Sequence, residues 1–391
     1  MRLLYITESA PNRDPVYGDG SSMIPYEILR NLPADVDVTL LSYSGRVELP
    51  AEIRERCTEV HVLTPRPRAA ALVRSLGGLN GAGRHERATR EAAELTAALS
   101  ARADATLIHG PHALFLSRYV QGPLVLQTVD PWSVRTQMDT AIAGRLKAAY
   151  RVREFLALRA ERRLPARARL LTVGAKDAAR WSASLGRPVR SIPNGADQAA
   201  QPAVRREDPV VCFVGSLNYG PNIDSAQVLV RSIAPLVWET VPRATFVLAG
   251  RRPDPAVLAL AGPRVEVAGN VPSVLDVYRA ADVAAFPDEH GVGIRNSVRE
   301  ALAAGVPVVA TPVGAREQEA HPLLTVVEDP EVFARRVVEA LENRGTGART
   351  AESEGAGLVR SWQTAALEYL AELHSAIGSA GAGLPARSTS A

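Results

Sequence analysis

The stretch Asp282–Gly314, DVAAFPDEHGVGIRNSVREALAAGVPVVATPVG, reads as a strand, a glycine loop, a helix and a second strand. Its first apolar run ends at Pro287, the loop carries Gly291 and Gly293, the helix begins near Arg295, and the second run ends at Thr311. Runs that are apolar throughout, instead of alternating, suit strands covered on both faces in a parallel sheet. Loop glycines let backbone N–H groups approach a ligand, and the helix N-terminus behind them adds a partial positive charge suited to phosphate. Arg295 adds a full cation. Glu300 follows about one and a half turns later, where a carboxylate accepts two hydrogen bonds from the vicinal hydroxyls of a ribose. Together these groups describe a site for a nucleoside diphosphate.

The same β/α alternation extends in both directions. Apolar runs recur at Arg2–Thr7, Val36–Ser42, Glu59–Leu63, Ala105–His109, Pro123–Thr128, Ala168–Gly174 and Val189–Pro193. Helix-period segments lie between them, at Ser21–Asn31, Glu86–Arg102, Arg145–Arg163 and Ala175–Leu185. The pattern pauses at Asn194–Asp208, which has little to bury, and resumes at Pro209–Gly215, Ala244–Gly250, Arg264–Ala268, Asp282–Pro287, Val306–Thr311 and Leu323–Glu328. An α/β chain of two doubly wound parallel sheets in tandem follows. The predicted boundaries are 1–195 for the first domain and 196–357 for the second. An amphipathic helix over 358–377 packs back on the first domain, and the Gly/Ala/Ser/Pro tail 378–391 has almost nothing to bury and is expected to be disordered.

The 391 residues carry 45 basic and 42 acidic side chains, a formal charge of +3. That balance implies no nucleic-acid partner. Nearly all the cations are arginine, since Lys147 and Lys176 are the only lysines. The longest apolar runs are about half what a membrane span needs, and no secretory signal is visible. Cys57 and Cys212 lie far apart with no metal-ligand spacing, so a reduced, cytoplasmic, zinc-free protein is predicted.

Ligands of open parallel sheets bind beyond the carboxyl ends of the strands. Besides Asp282–Gly314, three such places stand out. In Phe213–Asn222, Gly215 and Ser216 end a strand and Asn222 is expected to cap the next helix. Arg251 ends another strand. In the first domain, Gly18 and Gly20 precede a helix, as a phosphate loop or simply a flexible turn.

These residues resemble the GT-B glycosyltransferases, in particular the large retaining family numbered four. The resemblance rests on the N-terminal strand with its glycine loop, the PNG turn at Pro193–Gly195 and above all the run EALAAGVPVVATPVG, Glu300–Gly314. It implies two Rossmann-like domains facing a cleft and a glycosyltransferase with no cofactor and no metal, which uses a UDP-, GDP- or dTDP-sugar as co-substrate. The acceptor would be a sugar, a lipid-linked molecule or a natural product. It also implies that Glu300 binds the donor ribose, that the loop around Val271 holds the base, and that Gly291–Gly293 meets sugar and diphosphate. His290, Val292, Ile294, Asn296 and Ser297 would complete the donor site. The family often carries a second glutamate where Val292 stands; Glu289 or His290 can substitute for it, or the donor is an unusual sugar. Arg295 would compensate for a missing diphosphate clamp after Phe213.

His109 matches a family histidine near the donor sugar, with His112 in reserve. Asp130 follows Val129, which occupies the usual histidine position, and capping the turn at Pro131 is as good a reading of it. Arg145–Arg169 holds nine cations and two acids, either a solvated helix face or a weak peripheral contact with the inner membrane; Leu146, Phe155, Leu156 and Leu158 suffice to pack that helix on its sheet. Two other readings of the chain stand beside transfer: a nucleotide-sugar epimerase or hydrolase, and a non-catalytic sugar-nucleotide-binding subunit.

Overall fold

A computed structural model gives the fold for residues 1–67, 70, 86–136, 147–197, 206–291, 294–344 and 357–381. The strands are β1 (Arg2–Thr7), β2 (Asp37–Tyr43), β3 (Glu59–Leu63), β4 (Ala105–His109), β5 (Leu124–Thr128), β6 (Arg169–Thr172) and β7 (Val189–Ser191), followed by β8 (Val210–Val214), β9 (Thr245–Gly250), β10 (Val265–Gly269), β11 (Val283–Phe286), β12 (Val308–Ala310) and β13 (Leu324–Val326). The first seven form one sheet of order β3-β2-β1-β4-β5-β6-β7; the other six form a second of order β10-β9-β8-β11-β12-β13. Every pairing is parallel. Strand order therefore reverses direction between β1 and β4 in one sheet and between β8 and β11 in the other. Those are the topological switch points at which doubly wound sheets hold ligands.

Two compact units result: Met1–Asp14, Gly18–Pro193 and the last helix from Gln363 onward in one, and Pro15–Tyr17 with Asn194–Trp362 in the other. The central strands are buried along nearly their whole length, as unbroken apolar runs require. The edges differ from that expectation. β3, β10 and β13 are half-exposed and carry Glu59, His61 and Glu266, because an edge strand with polar residues resists pairing with another chain.

The helices begin where capping chemistry places them. Asp19 caps the helix Gly20–Asn31: its carboxylate accepts from the Ser21 and Ser22 amides at 2.9 and 3.2 Å, and Ser22 Oγ accepts from the Asp19 amide at 2.9 Å. Gly186, at φ +67°, closes the helix Ala175–Leu185 in the left-handed conformation that glycine adopts at least cost. The last helix runs from Trp362 to Gly381, four residues later at both ends than the amphipathic pattern indicates. Once nucleated, a helix gains one hydrogen bond per added residue, so it extends through Gly378–Gly381 without needing anything to bury there. Residues 382–391 lie outside the described ones, as do the linker positions 198–205.

That last helix is fastened to the first sheet. Trp362, Tyr369 and Leu373 are buried, and so is Glu372. Its carboxylate accepts from Arg169 Nε of β6 at 2.6 Å and also pairs with Arg190 of β7. A buried carboxylate is tolerated only with such partners. Glu372→Ala removes the acceptor for both guanidiniums and should lower the unfolding free energy by about 1–3 kcal/mol, read from urea denaturation.

Candidate functional site

The switch point of the second sheet is built around one side chain. Phe213 on β8 and Phe286 on β11 present their rings side by side, 5.9 Å apart, and the Arg295 guanidinium lies over both, 5.0 and 4.8 Å from their centroids. Arg295 is the N-cap residue of the helix Asn296–Ala303 and gives that helix no side-chain cap. Its Nη1 meets Asp288 Oδ2 at 2.7 Å and donates to Asn222 Oδ1 at 3.1 Å. Nε and Nη2 are buried and have no hydrogen-bond partner among the described residues. Burial lowers the Arg295 pKa, with Asp288 acting against it. Burial likewise raises the pKa of Asp288, opposed by Arg295 and by the Ser225 hydroxyl, which donates to Asp288 Oδ1 at 2.5 Å. A guanidinium with two unsatisfied donors at a strand-end switch point has hydrogen-bonding capacity left for an anion.

The loop after β8 is held in place from beneath. Arg251 Nη2 donates to Ser216 Oγ at 2.9 Å, and Asn222 Nδ2 donates to the Ser216 carbonyl at 3.0 Å. Asn222 thus does not cap its helix. Pro221 sits in the first helical turn, so the helix starts at Gly220 with Tyr219 at the N-cap, leaving Asn222 to bridge Ser216 and Arg295. Gly250, at φ +155°, passes so close to Gly215 that a Cβ there would sit 1.7 Å from the Gly215 carbonyl oxygen. No other residue fits that crossing.

Glu300 is half-buried on the helix Asn296–Ala303. Beside it the fully buried Tyr278 donates its hydroxyl to the Ser297 carbonyl at 2.8 Å. Burial first, and the Glu300 charge second, push the Tyr278 phenol well above its ordinary range. Asn296 Oδ1 accepts from Asn194 at 3.1 Å, and Ile294 is half-buried. Val271 packs against the core of the second unit. His290 and Gly291 are exposed, and Val292 and Gly293 lie outside the described residues. The structure therefore joins Gly215, Ser216, Asn222, Arg251 and Arg295 in one network, with Glu300 on the helix that Arg295 starts.

Asp288 is the member that the sequence reading missed. Its position directly after β11 was the available signal, by the same strand-end rule that singled out Arg251. Tyr278, Thr311 and Gln318 were missed as well. Thr311 Oγ1 donates to the Asp288 carbonyl at 2.6 Å, and Gln318 Nε2 donates to the Arg295 carbonyl at 3.0 Å.

In the first unit, Asp19 lies between Gly18 and Gly20 and caps the helix that Gly20 begins. Asp130 is half-buried after β5. His109 ends β4 and is fully buried, with neither ring nitrogen in a well-formed hydrogen bond among the described residues. Burial pushes its pKa down to about 3, and only the Gly20 backbone works against that. His112 is pushed down to about 4, again chiefly by burial, and packs edge-on against Trp132 with centroids 4.9 Å apart. Both rings are neutral near pH 7, so neither supplies a cation to a ligand there. Glu8, directly after β1, went unnoticed in the sequence. It is buried, accepts from the His112 amide at 2.6 Å, and lies against Gly110, where a Cβ would come within 2.3 Å of Glu8 Cδ.

Residues 208–343 match the family model described as glycosyl transferases group 1. No curated protein matches the chain. Among solved structures, the sucrose-phosphate synthase of Thermosynechococcus elongatus is similar at TM-score 0.67 and 17% identity, over 97% of this chain and 99% of that one. HepE of Anabaena in complex with UDP-glucose gives 0.61 and 15%, over 96% and 100%. An alpha,alpha-trehalose-phosphate synthase (UDP-forming) from Burkholderia vietnamiensis gives 0.59 and 12%, over 96% and 100%. The fold is that of the GT-B glycosyltransferases, and the stretch similar to glycosyl transferases group 1 lies within the second unit.

The two depressed histidines set a pH dependence of known sign. Their ordinary value is 6.5, so in acid the unfolded chain binds protons that the folded chain refuses. Their contribution to stability is complete above about pH 7 and is lost as pH falls from there toward about 4 for His112 and about 3 for His109. Replacing both with glutamine should flatten the decline of the denaturation midpoint between pH 7 and 4.5 relative to the unsubstituted protein. Parallel curves would show that the imidazoles are not buried as neutral rings.

Proposed function

We propose that the protein is a glycosyltransferase that moves a sugar from a nucleoside-diphosphate sugar to an acceptor hydroxyl, with retention and without a metal ion. The second unit takes the donor and the first unit takes the acceptor. The observation that carries this reading is the Arg295 guanidinium, held at the β8/β11 switch point with two donors unused, on the helix that bears Glu300. The match of residues 208–343 to glycosyl transferases group 1 supports it from the sequence side.

In such a transfer the bond between the anomeric carbon and the diphosphate oxygen breaks. A bond from that carbon to the acceptor oxygen forms, and the acceptor proton ends on the departing phosphate. The cost lies mainly in the negative charge that collects on the diphosphate. Arg295 and the uncapped N-terminus of the helix Asn296–Ala303 are the groups assigned to offset it, with Gly215 and Ser216 meeting the phosphates from the other strand end. Asp288 holds Arg295 in one orientation. Glu300 is assigned to the ribose hydroxyls, and Arg251 positions Ser216. His109, as a fully buried neutral ring, is assigned no ionic role. UDP is the first nucleotide to try, because the similar structures named above include a UDP-glucose complex and a UDP-forming synthase.

A thermal-shift panel of UDP-, GDP- and dTDP-sugars checks the reading. A ligand at 100 times its dissociation constant adds about 2.7 kcal/mol of stability. Glu300→Gln should weaken the best ligand by about 1–3 kcal/mol in calorimetry while leaving the unliganded midpoint nearly unchanged. If no nucleoside diphosphate shifts the unsubstituted protein, the assignment fails.

A further inference from the structure

The helix Lys147–Glu161 was expected to bury Phe155 against its sheet. Instead Phe155 is 63% exposed, and Val152 one turn before it is 47% exposed. At about 100° per residue, Arg151, Val152, Phe155 and Arg159, continued by Arg162, fall within roughly 100° of arc on this helix. All five are exposed. Arg159 and Arg163 make no side-chain hydrogen bond or ion pair among the described residues. The helix thus presents two uncovered apolar side chains among guanidiniums.

Beside this face runs a groove of about 490 Å³. Its walls are apolar, from Phe115, Trp132, Leu156 and Leu164, and Arg118, Arg159 and Arg163 line it as well. Arg159 belongs both to the groove and to the exposed face, and Arg163, just past the helix end, is exposed as well. Glu161, the carboxylate that lines it, is committed elsewhere: it accepts from the Ser133 amide and hydroxyl at 3.1 and 2.5 Å and from Trp181 Nε1 at 2.9 Å. Burial also raises its pKa. Among the described residues no other carboxylate lines the groove.

We infer that this face of the first unit rests on an anionic lipid surface, with Phe155 and Val152 entering the acyl boundary, the arginines meeting lipid phosphates, and one acyl chain lying in the groove beside Trp132. An interface with apolar depth and negative charge satisfies both features at once. An acidic protein surface would answer the arginines and leave Phe155, Val152 and the groove in contact with polar groups. Among the described residues no helix is long and apolar enough to cross a membrane; the contact is of the kind in which a helix lies in the interfacial plane. It rests on the transferase reading only in making that lipid the carrier of the acceptor, and binding is measured without turnover.

The experiment is co-sedimentation of the full chain with vesicles of phosphatidylcholine alone or mixed with phosphatidylglycerol. The protein should partition onto the mixed vesicles and not onto the neutral ones, and added salt should weaken the partition. The double substitution of Val152→Ser with Phe155→Ser, and separately Arg159→Glu with Arg163→Glu, should each lower it by about tenfold. Brominated acyl chains should quench the fluorescence of Trp132, and Trp132→Phe should remove that quenching. Binding that ignores lipid charge, survives both double substitutions or never occurs overturns the inference. So does self-association without vesicles that the same substitutions abolish, since a second copy would then cover the face. The nucleotide-sugar thermal shift should be the same in all these variants, which separates failure here from failure of the transferase reading.

Discussion

The second unit is organised around the buried contact between Asp288 and Arg295. Desolvating two opposite charges costs several kcal/mol for each ion, and their attraction offsets this only when the remaining hydrogen-bonding positions are filled and the geometry is held. Here Ser225 fills the other carboxylate oxygen, Asn222 takes one guanidinium hydrogen, and Phe213 and Phe286 lie beside the cation, while Nε and Nη2 stay unfilled among the described residues. The same packing explains two glycines. A Cβ at Gly215 would meet Asn222 Nδ2 at 2.8 Å, and one at Gly314 would meet the Phe286 carbonyl at 2.8 Å and Asp288 Oδ2 at 3.2 Å. Glycine there makes room for the ion pair's own surroundings.

The first unit keeps its polarity at the same place by other means. Ser42, Thr7, His109 and Gln127 lie within one residue of the carboxyl ends of four adjacent strands, all buried. The Thr7 hydroxyl donates to Ser42 Oγ at 2.9 Å, whereas the buried nitrogens of His109 and the buried amide of Gln127 make no well-formed hydrogen bond among the described residues. In a parallel sheet covered on both faces the strand interiors leave no room for polar groups. Chemistry therefore collects at the carboxyl ends, in one unit as an ion pair and in the other as a row of neutral side chains.

Much of this was legible in the sequence, for a physical reason. Central strands in a doubly wound sheet are apolar on both faces, so runs such as Ala105–His109 and Asp282–Pro287 announce themselves, and the observed strands fall within a residue or two of them. What stayed hidden depends on tertiary neighbours. Asn222 looks like a cap until Pro221 moves the helix start. Phe155 looks like a core residue because hydrophobicity alone does not reveal which face of a basic helix meets the sheet. Asp288 carries no local signal beyond its strand-end position, since its role arises from Arg295, seven residues on, and Ser225, more than sixty residues before. Burial deep enough to hold His109 neutral is likewise a property of the assembled layers and not of the residues flanking it.

The fastening of the last helix bears on how the chain comes to be folded. Residues from Gln363 onward belong to the unit that begins at Met1, although the whole of Asn194–Trp362 is threaded between them. During vectorial synthesis the first sheet must wait, with the arginines of its sixth and seventh strands lacking the Glu372 carboxylate, until the whole of the second unit has been made. The second unit, continuous but for a short N-terminal piece, has no such delay. Maturation of the first sheet is thereby timed by the synthesis of residues 363–381.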